Sequence, residues 1–214
     1  MTSKLKLLIA IPTYNNSVHT KLAEFLMNFK YCDYEVKFKS SSLITKLRND
    51  FVMDFLEGDY THLLFIDSDL YGFEETLRTM LESNKRLIGG VYRKKVPNEI
   101  YNINLLKTGI NPTDKIAEVK HITTGLMIIE RSLIEELIEK FEDRYYFDYG
   151  TNKKKFDLFG VGIVNYRYLS EDYFFCHLCS LIGEKTYCVV DSKMVHVGEV
   201  GYSGDFKKYL YSQI

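Results

Sequence analysis

With 214 residues, 46% hydrophobic and 27% charged, the chain carries enough apolar material for one sizeable core and reads as a single domain, 1–214. A net charge of −1 excludes a general binder of nucleic acid or of anionic membrane surfaces. Met1 to Leu5 lacks a signal-peptide pattern and no apolar run is long enough to span a bilayer, so a cytoplasmic protein without a membrane span is expected.

Leu5 to Ile11 reads as a buried strand that Pro12 stops, with Thr13 to Ser17 as a polar loop. Leu22, Phe25, Leu26 and Phe29 fall at i, i+3, i+4 and i+7 and predict a first helix. Tyr34 to Lys39 alternates as a short strand. Leu43, Leu47, Phe51 and Phe55 recur every fourth residue, predicting a helix over Ser42 to Leu56 that carries Arg48 and Asn49 and breaks at Gly58-Asp59. Leu63 to Ile66 is a continuous apolar run, as for a strand covered on both faces, and it ends in Asp67-Ser68-Asp69.

Ligands of open α/β sheets bind just beyond the carboxyl ends of the strands. Two carboxylates this close repel each other unless a cation lies between them and the ligand. Oxygen donors suit Mg²⁺ or Mn²⁺, with substrate phosphates completing the shell. A lone Asp-x-Asp is more often a solvated turn, so the rest of the chain must decide.

Phe73 to Glu82 is a third helix, and Arg86 to Tyr92 a strand containing Gly89-Gly90. Arg93-Lys94-Lys95 opens an irregular region to about Lys120; its charges suit a solvated face, or a hold on phosphate or acceptor. Thr123-Thr124-Gly125 leads into the strand Leu126 to Ile129. Ser132-Leu133-Ile134-Glu135 matches a capping box and predicts a helix to about Phe141. Residues 143–166, rich in Tyr, Phe, Gly and Lys and poor in periodicity, read as a long lid or binding loop. Ser170-Glu171-Asp172 begins a helix with Ser170 as N-cap and Gly183 near its end. Tyr187 to Val190 is a strand, residues 191–204 a loop holding His196, and Phe206 to Ile214 the start of a helix, which suits the N-terminal domain of a longer protein.

Cys32, Cys176, Cys179 and Cys188 are expected as reduced thiols, since no second pair completes a metal site with Cys176 and Cys179. The alternation of strands and helices predicts an α/β fold with a mostly parallel central sheet flanked by helices.

Pro12-Thr13-Tyr14-Asn15, Asp67-Ser68-Asp69, Glu171-Asp172 and His196, in that order, resemble the GT-A fold glycosyltransferases. The likeness covers nearly the whole chain and is nearest to glycosyltransferase domains of large chlorella-infecting viruses. It implies a Rossmann-like single domain that moves a sugar from a nucleoside-diphosphate sugar, UDP by its commonness in the family, to a glycan acceptor such as one on a glycoprotein. It implies that Pro12, Thr13, Tyr14, Asn15, Arg48, Asp67 and Ser68 hold the nucleotide. Asp67, Asp69 and His196 would hold Mn²⁺ or Mg²⁺. Tyr92, Arg93, Thr124 and Gly125 would approach the donor sugar or acceptor. Asp172, with Glu171 as fallback, would be the base of an inverting transfer, kept ionised by its helix N-terminus. A retaining enzyme on the same fold and a binding module without turnover remain alternatives. A metal-dependent nucleotidyltransferase would show a glycine-rich basic loop after the first strand, and Pro12 to Ser17 is not one.

Overall fold

The computed structural model describes residues 4–213. The first half comprises β1 (Lys6–Thr13), α1 (Thr20–Asn28), β2 (Asp33–Ser40), α2 (Ile44–Glu57), β3 (His62–Ile66), β4 (Leu70–Tyr71), α3 (Glu74–Glu82) and β5 (Leu87–Gly89). The middle holds β6 (Ile103–Asn104), β7 (Ile116–Val119), β8 (His121–Ile122), β9 (Leu126–Glu130) and α4 (Arg131–Lys140). Then come β10 (Tyr145–Phe147), β11 (Lys154–Phe156), β12 (Gly162–Val164), β13 (Arg167–Leu169) and α5 (Glu171–Leu181). The chain closes with β14 (Thr186–Val189), β15 (Lys193–Val197), β16 (Gly201–Asp205) and α6 (Phe206–Tyr211).

A seven-stranded sheet in the order β2-β1-β3-β9-β5-β14-β7 forms the centre. β2, β1, β3, β5 and β14 run one way, and β9 and β7 run against them. The sheet is therefore mostly parallel by strand direction. The reversal of β9 has a local cause. The chain returns to the carboxyl ends of the strands at Gly125, whose carbonyl accepts the Asp67 N–H at 2.9 Å. From there it can only run downward between β3 and β5.

The continuous apolar run of β3 is explained by burial on both faces. Leu63 and Phe65 join a cluster with Phe51, Phe55, Leu133 and Phe175, from α2, α4 and α5. Leu64 and Ile66 join a second cluster with Leu22 and Leu77, from α1 and α3. The mixed α/β expectation holds, and all four cysteines are free.

Several local expectations are corrected. β1 continues through Pro12 to Thr13, because the β1–β3 pairing has already ended at Ala10 and a missing N–H there breaks no ladder with β3. Residues 143–166 are not an irregular loop: they contain the β10–β11 hairpin and the first strand of the β12–β13 hairpin. Residues 193–205 form the β15–β16 hairpin instead of a loop. The helix expected from Ser132 begins at Arg131, and the Ser132 hydroxyl bonds the Glu130 carboxylate at 2.6 Å, so no capping box forms. Arg131 instead reaches the carbonyls of Phe55, Gly58 and Tyr60 at 2.6–2.8 Å, tying α4 to the open end of α2. The final helix ends at Tyr211, and Ile214 lies outside the described residues.

α2 also anchors the hairpins. Asn49 is buried; its amide oxygen accepts the N–H groups of Leu158 and Phe159 at 3.0 and 2.9 Å, and its nitrogen donates to Asp157 at 3.0 Å. Truncating it strands two buried donors, each worth about 1–3 kcal/mol. Asn49→Ala is therefore expected to lower unfolding stability by on the order of 3 kcal/mol in urea titration, with an unchanged m-value. A loss under about 1 kcal/mol would show that water replaces the side chain.

Candidate functional site

The carboxyl ends of β1 and β3 open into a cleft of about 280 Å³ lined by Thr13, Tyr14, Ser42, Arg48, Asp67 and Asp69, among others. A larger groove of about 900 Å³ lies between α1 and α3, lined by Phe25, Tyr31 and Arg78, and contains none of the sequence-predicted residues. The sequence-predicted residues Pro12, Thr13, Tyr14, Arg48, Asp67, Ser68 and Asp69 line the smaller cleft.

Tyr14 stands at its lip, 87% exposed and free to stack on a planar ligand. Thr13 is buried, and its hydroxyl donates to the Lys39 carbonyl at 3.2 Å, so it shapes the wall. Pro12 belongs to the strand itself. Asn15 is exposed and accepts from the Ser17 hydroxyl. The Ser68 carbonyl accepts the His19 N–H at 2.9 Å, which fixes the start of α1 beside the Asp-x-Asp turn.

Arg48 lies at the foot of the cleft with its side chain only 5% exposed. Its Nη2 is 3.3 Å from Asp67 Oδ1, its Nε is 3.4 Å from Glu171 Oε1, and its guanidinium lies 5.2 Å from the Phe65 ring centre. Nη1 has no partner. Asp67 and Glu171 are thus held by one buried cation. One oxygen of Asp67, Oδ1, is thus paired with Arg48, while Asp67 and Asp69 line the same cleft.

Asp172, next to Glu171, is buried and among the described residues makes no direct ion pair. It accepts from the Ser170 hydroxyl and from the Tyr173 N–H at 2.8 Å. Burial, followed by repulsion from Glu171, pushes its carboxyl up to about 6. The helix N-terminus favours the charged form, and with a pKa of about 6 the carboxyl is still mostly ionised at neutral pH, but desolvation sets the direction of the shift. Ser170 occupies the N-cap position but directs its hydroxyl to Asp172 instead of capping the backbone.

β4 and β15 bring the last element to the cleft. Their antiparallel register sets His196 against Leu70, and the Val197 N–H donates to the Asp69 carbonyl at 2.8 Å. His196 Nδ1 lies 3.0 Å from the Arg93 carbonyl. A carbonyl only accepts, so the hydrogen is on Nδ1 and the lone pair on Nε2. Burial lowers the His196 pKa and favours this neutral ring. Nε2 faces Asp69 Oδ1 at 3.6 Å, while Lys95 Nζ contacts Asp69 Oδ2 at 2.5 Å.

Two lone-pair donors facing each other, with the histidine oriented from behind, fit a cation held by two protein groups and completed by phosphate oxygens and water. Among the described residues no cluster of three His, Cys, Asp or Glu side chains forms a metal site. Asp67 is accordingly not placed with the other two.

Tyr92 links the two halves. Its buried ring packs edge-on against His196 at 4.9 Å, and burial and the Asp67 and Asp172 charges raise its pKa. Gly125 is required here, because a Cβ would lie 2.2 Å from the Tyr92 hydroxyl. Thr124 is buried beside it in the chain. Arg93 does not face the cleft with its side chain: its guanidinium reaches the carbonyls of Val96, Pro97 and Ser203, and its own carbonyl orients His196. Sequence reasoning missed Lys95 at Asp69. It also missed Ser170 on Asp172 and the strand that carries His196.

No protein-family model and no curated protein matches the sequence. Among solved structures, A197 from STIV superimposes with a TM-score of 0.57 at 17% identity, covering 91% of this chain and 86% of that one. The two chains share a fold. A glycosyltransferase involved in the glycosylation of the major capsid of PBCV-1 gives a TM-score of 0.34 at 14% identity over 63% of each chain. The inositol-1-phosphate CTP transferase from T. maritima gives 0.37 at 10% identity, over 87% of this chain and 70% of that one. Likeness at those last two levels carries no functional weight, so the narrower viral-glycosyltransferase resemblance is not established by it.

Two outcomes follow from this geometry. A carboxyl with a raised native pKa binds more protons folded than unfolded, so it subtracts stability as pH rises from about 4 through 6. Asp172→Asn is therefore expected to stabilise the fold at pH 7.5 by on the order of 2 kcal/mol and to be near neutral at pH 4, read as Tm against pH; equal shifts at both would refute the burial account. Removing the Lys95 ammonium frees Asp69, so Lys95→Ala is expected to tighten Mn²⁺ binding about tenfold in calorimetry; weaker or unchanged binding would place the metal elsewhere.

Proposed function

We propose that this chain is a metal-dependent glycosyltransferase on a GT-A-type, Rossmann-like sheet, transferring a sugar from a nucleoside-diphosphate sugar, a UDP-sugar first among candidates, to a hydroxyl of a glycan acceptor with inversion. The observation that carries the reading is a buried carboxylate of raised pKa, Asp172, joined through Glu171 and Arg48 to a strand-end cleft where Asp69 faces the lone pair of His196.

Charge supports the donor class. Asp67, Asp69, Glu171 and Asp172 are offset only by Arg48 and Lys95. A diphosphate entering this field needs added positive charge. Asp69 and His196 would hold Mn²⁺ or Mg²⁺, which would supply that charge against a departing diphosphate. Tyr14 offers its exposed face to the base. Arg48 keeps Asp67 and Glu171 turned inward, so that of the two adjacent carboxylates only Asp172 is left to take a proton.

In the transfer the acceptor oxygen bonds the anomeric carbon as the bond to the diphosphate oxygen breaks, and the acceptor proton passes to Asp172. A pKa of about 6 leaves Asp172 mostly ionised at neutral pH yet close enough to the working pH to be an efficient base. One observation favours a second version of the same reaction: the Lys95 ammonium, already on Asp69, meets the diphosphate in place of a divalent ion.

Asp172→Asn keeps the size and removes the basicity. It is expected to lower kcat by about 10²-fold or more with UDP affinity nearly unchanged, and the wild-type product is expected to carry the inverted anomer by NMR. Wild-type turnover in the variant, or retention at the anomeric carbon, would overturn the assignment of the base.

A further inference from the structure

A second pocket, sharing no residue with the strand-end cleft, has a volume of about 570 Å³ and lies between the β6–β8 pair, the β12–β13 hairpin and α5. Its polar lining includes Lys107, Lys120, His121, Arg167 and His177, contributed by separate parts of the chain, over a floor of Leu105, Leu106, Val164 and Leu169. No carboxylate lines it.

In a chain of 28 basic and 29 acidic side chains, a concave cluster of cations without counterions is unexpected. Among the described residues Lys107, Lys120 and Arg167 take no ion-pair partner, while Glu118, close to Lys120 in sequence, is committed to Lys185 at 2.7 Å. His121 is buried, its ring stacked on Tyr173 at 5.0 Å, and its Nδ1 lies 3.1 Å from the Asn104 amide nitrogen. That amide donates, so the neutral ring carries its hydrogen on Nε2, which has no protein partner.

The local field agrees. Burial lowers the pKa of both histidines, and the charges that add to the effect are positive: Lys120 and His177 on His121, and Lys120 on His177. The β12–β13 turn holds Asn165 and Tyr166 at φ of 50° and 63°, a strained conformation for a tyrosine, and so presents Asn165 and Arg167 to the pocket.

We propose that this pocket binds an oxyanion group, phosphate or carboxylate, carried on a small polar ligand. The volume is that of a ligand site and exceeds what a bare ion needs. Clustered lysine and arginine supply the charge, and the His121 and asparagine N–H groups supply directional donors.

The test is calorimetry at low salt on the full chain with glucose 6-phosphate, glucuronate and neutral glucose, in the wild type, in a Lys120→Gln/Arg167→Gln double variant, and in Asp69→Ala. Both double-variant positions are exposed and unpaired, so its Tm is expected to match the wild type. At least one acidic sugar is expected to bind, glucose not, with affinity falling tenfold or more in the double variant and unchanged in Asp69→Ala. Preference for glucose 6-phosphate identifies phosphate as the recognised group, and preference for glucuronate identifies carboxylate. Binding of neither, equal binding of glucose, or undiminished affinity in the double variant would overturn the proposal. None of these outcomes depends on turnover at the strand-end cleft.

Discussion

The site depends on one buried guanidinium. A charge with its side chain 5% exposed is costly to desolvate unless paired, and Arg48 finds its partners on two different elements, Asp67 at the end of β3 and Glu171 at the start of α5. The pairing sets the orientation of α2, β3 and α5 around the cleft. It also divides two adjacent carboxylates: Glu171 is held by a cation, whereas Asp172 is buried beside that carboxylate and keeps a raised pKa. Two adjacent carboxyl groups thus sit in environments that push their protonation apart, which is the basis on which Asp172 rather than Glu171 is proposed as the base.

Around that clamp, the rest of the site is assembled by segments that return to the carboxyl ends of the strands. The turn at Gly125 reverses the chain into β9, and Tyr92 fills the space that a side chain at 125 would need. The β15 strand pairs with β4 and carries His196 against Asp69, with the Arg93 carbonyl fixing which ring nitrogen faces forward. Backbone register therefore sets the imidazole opposite the Asp69 carboxylate.

What could be read from the sequence was what repeats or clusters locally. The apolar run before Asp67-Ser68-Asp69 and the helices α1 to α3 follow from periodicity, the start of α5 follows from Ser170-Glu171-Asp172, and Asp67 and Asp69 lie at the carboxyl end of β3 as read. The hairpins at 145–169 and 193–205 did not show, since their strands are only three to five residues long and one is held by Asn49 from more than 100 positions away. Separations of 123 and 26 positions likewise hid the Arg48 pairing with Glu171 and the contact of Lys95 with Asp69. At Ser132 a local capping pattern lost to a longer-range demand, the bonds from Arg131 to the end of α2. Asp172 shows the same conflict energetically: its position at a helix N-terminus favours the charged form, but burial dominates.

Asp69 and His196 are proposed as the cation end of a diphosphate site. Anomalous diffraction at the manganese edge, from crystals grown with UDP and Mn²⁺, tests it most directly. The account predicts one strong peak within bonding distance, about 2–2.3 Å, of an Asp69 carboxylate oxygen and of His196 Nε2, with Lys95 displaced and Asp67 still on Arg48. Ordered UDP in the cleft with Lys95 still on Asp69 and no anomalous peak between Asp69 and His196 would contradict it.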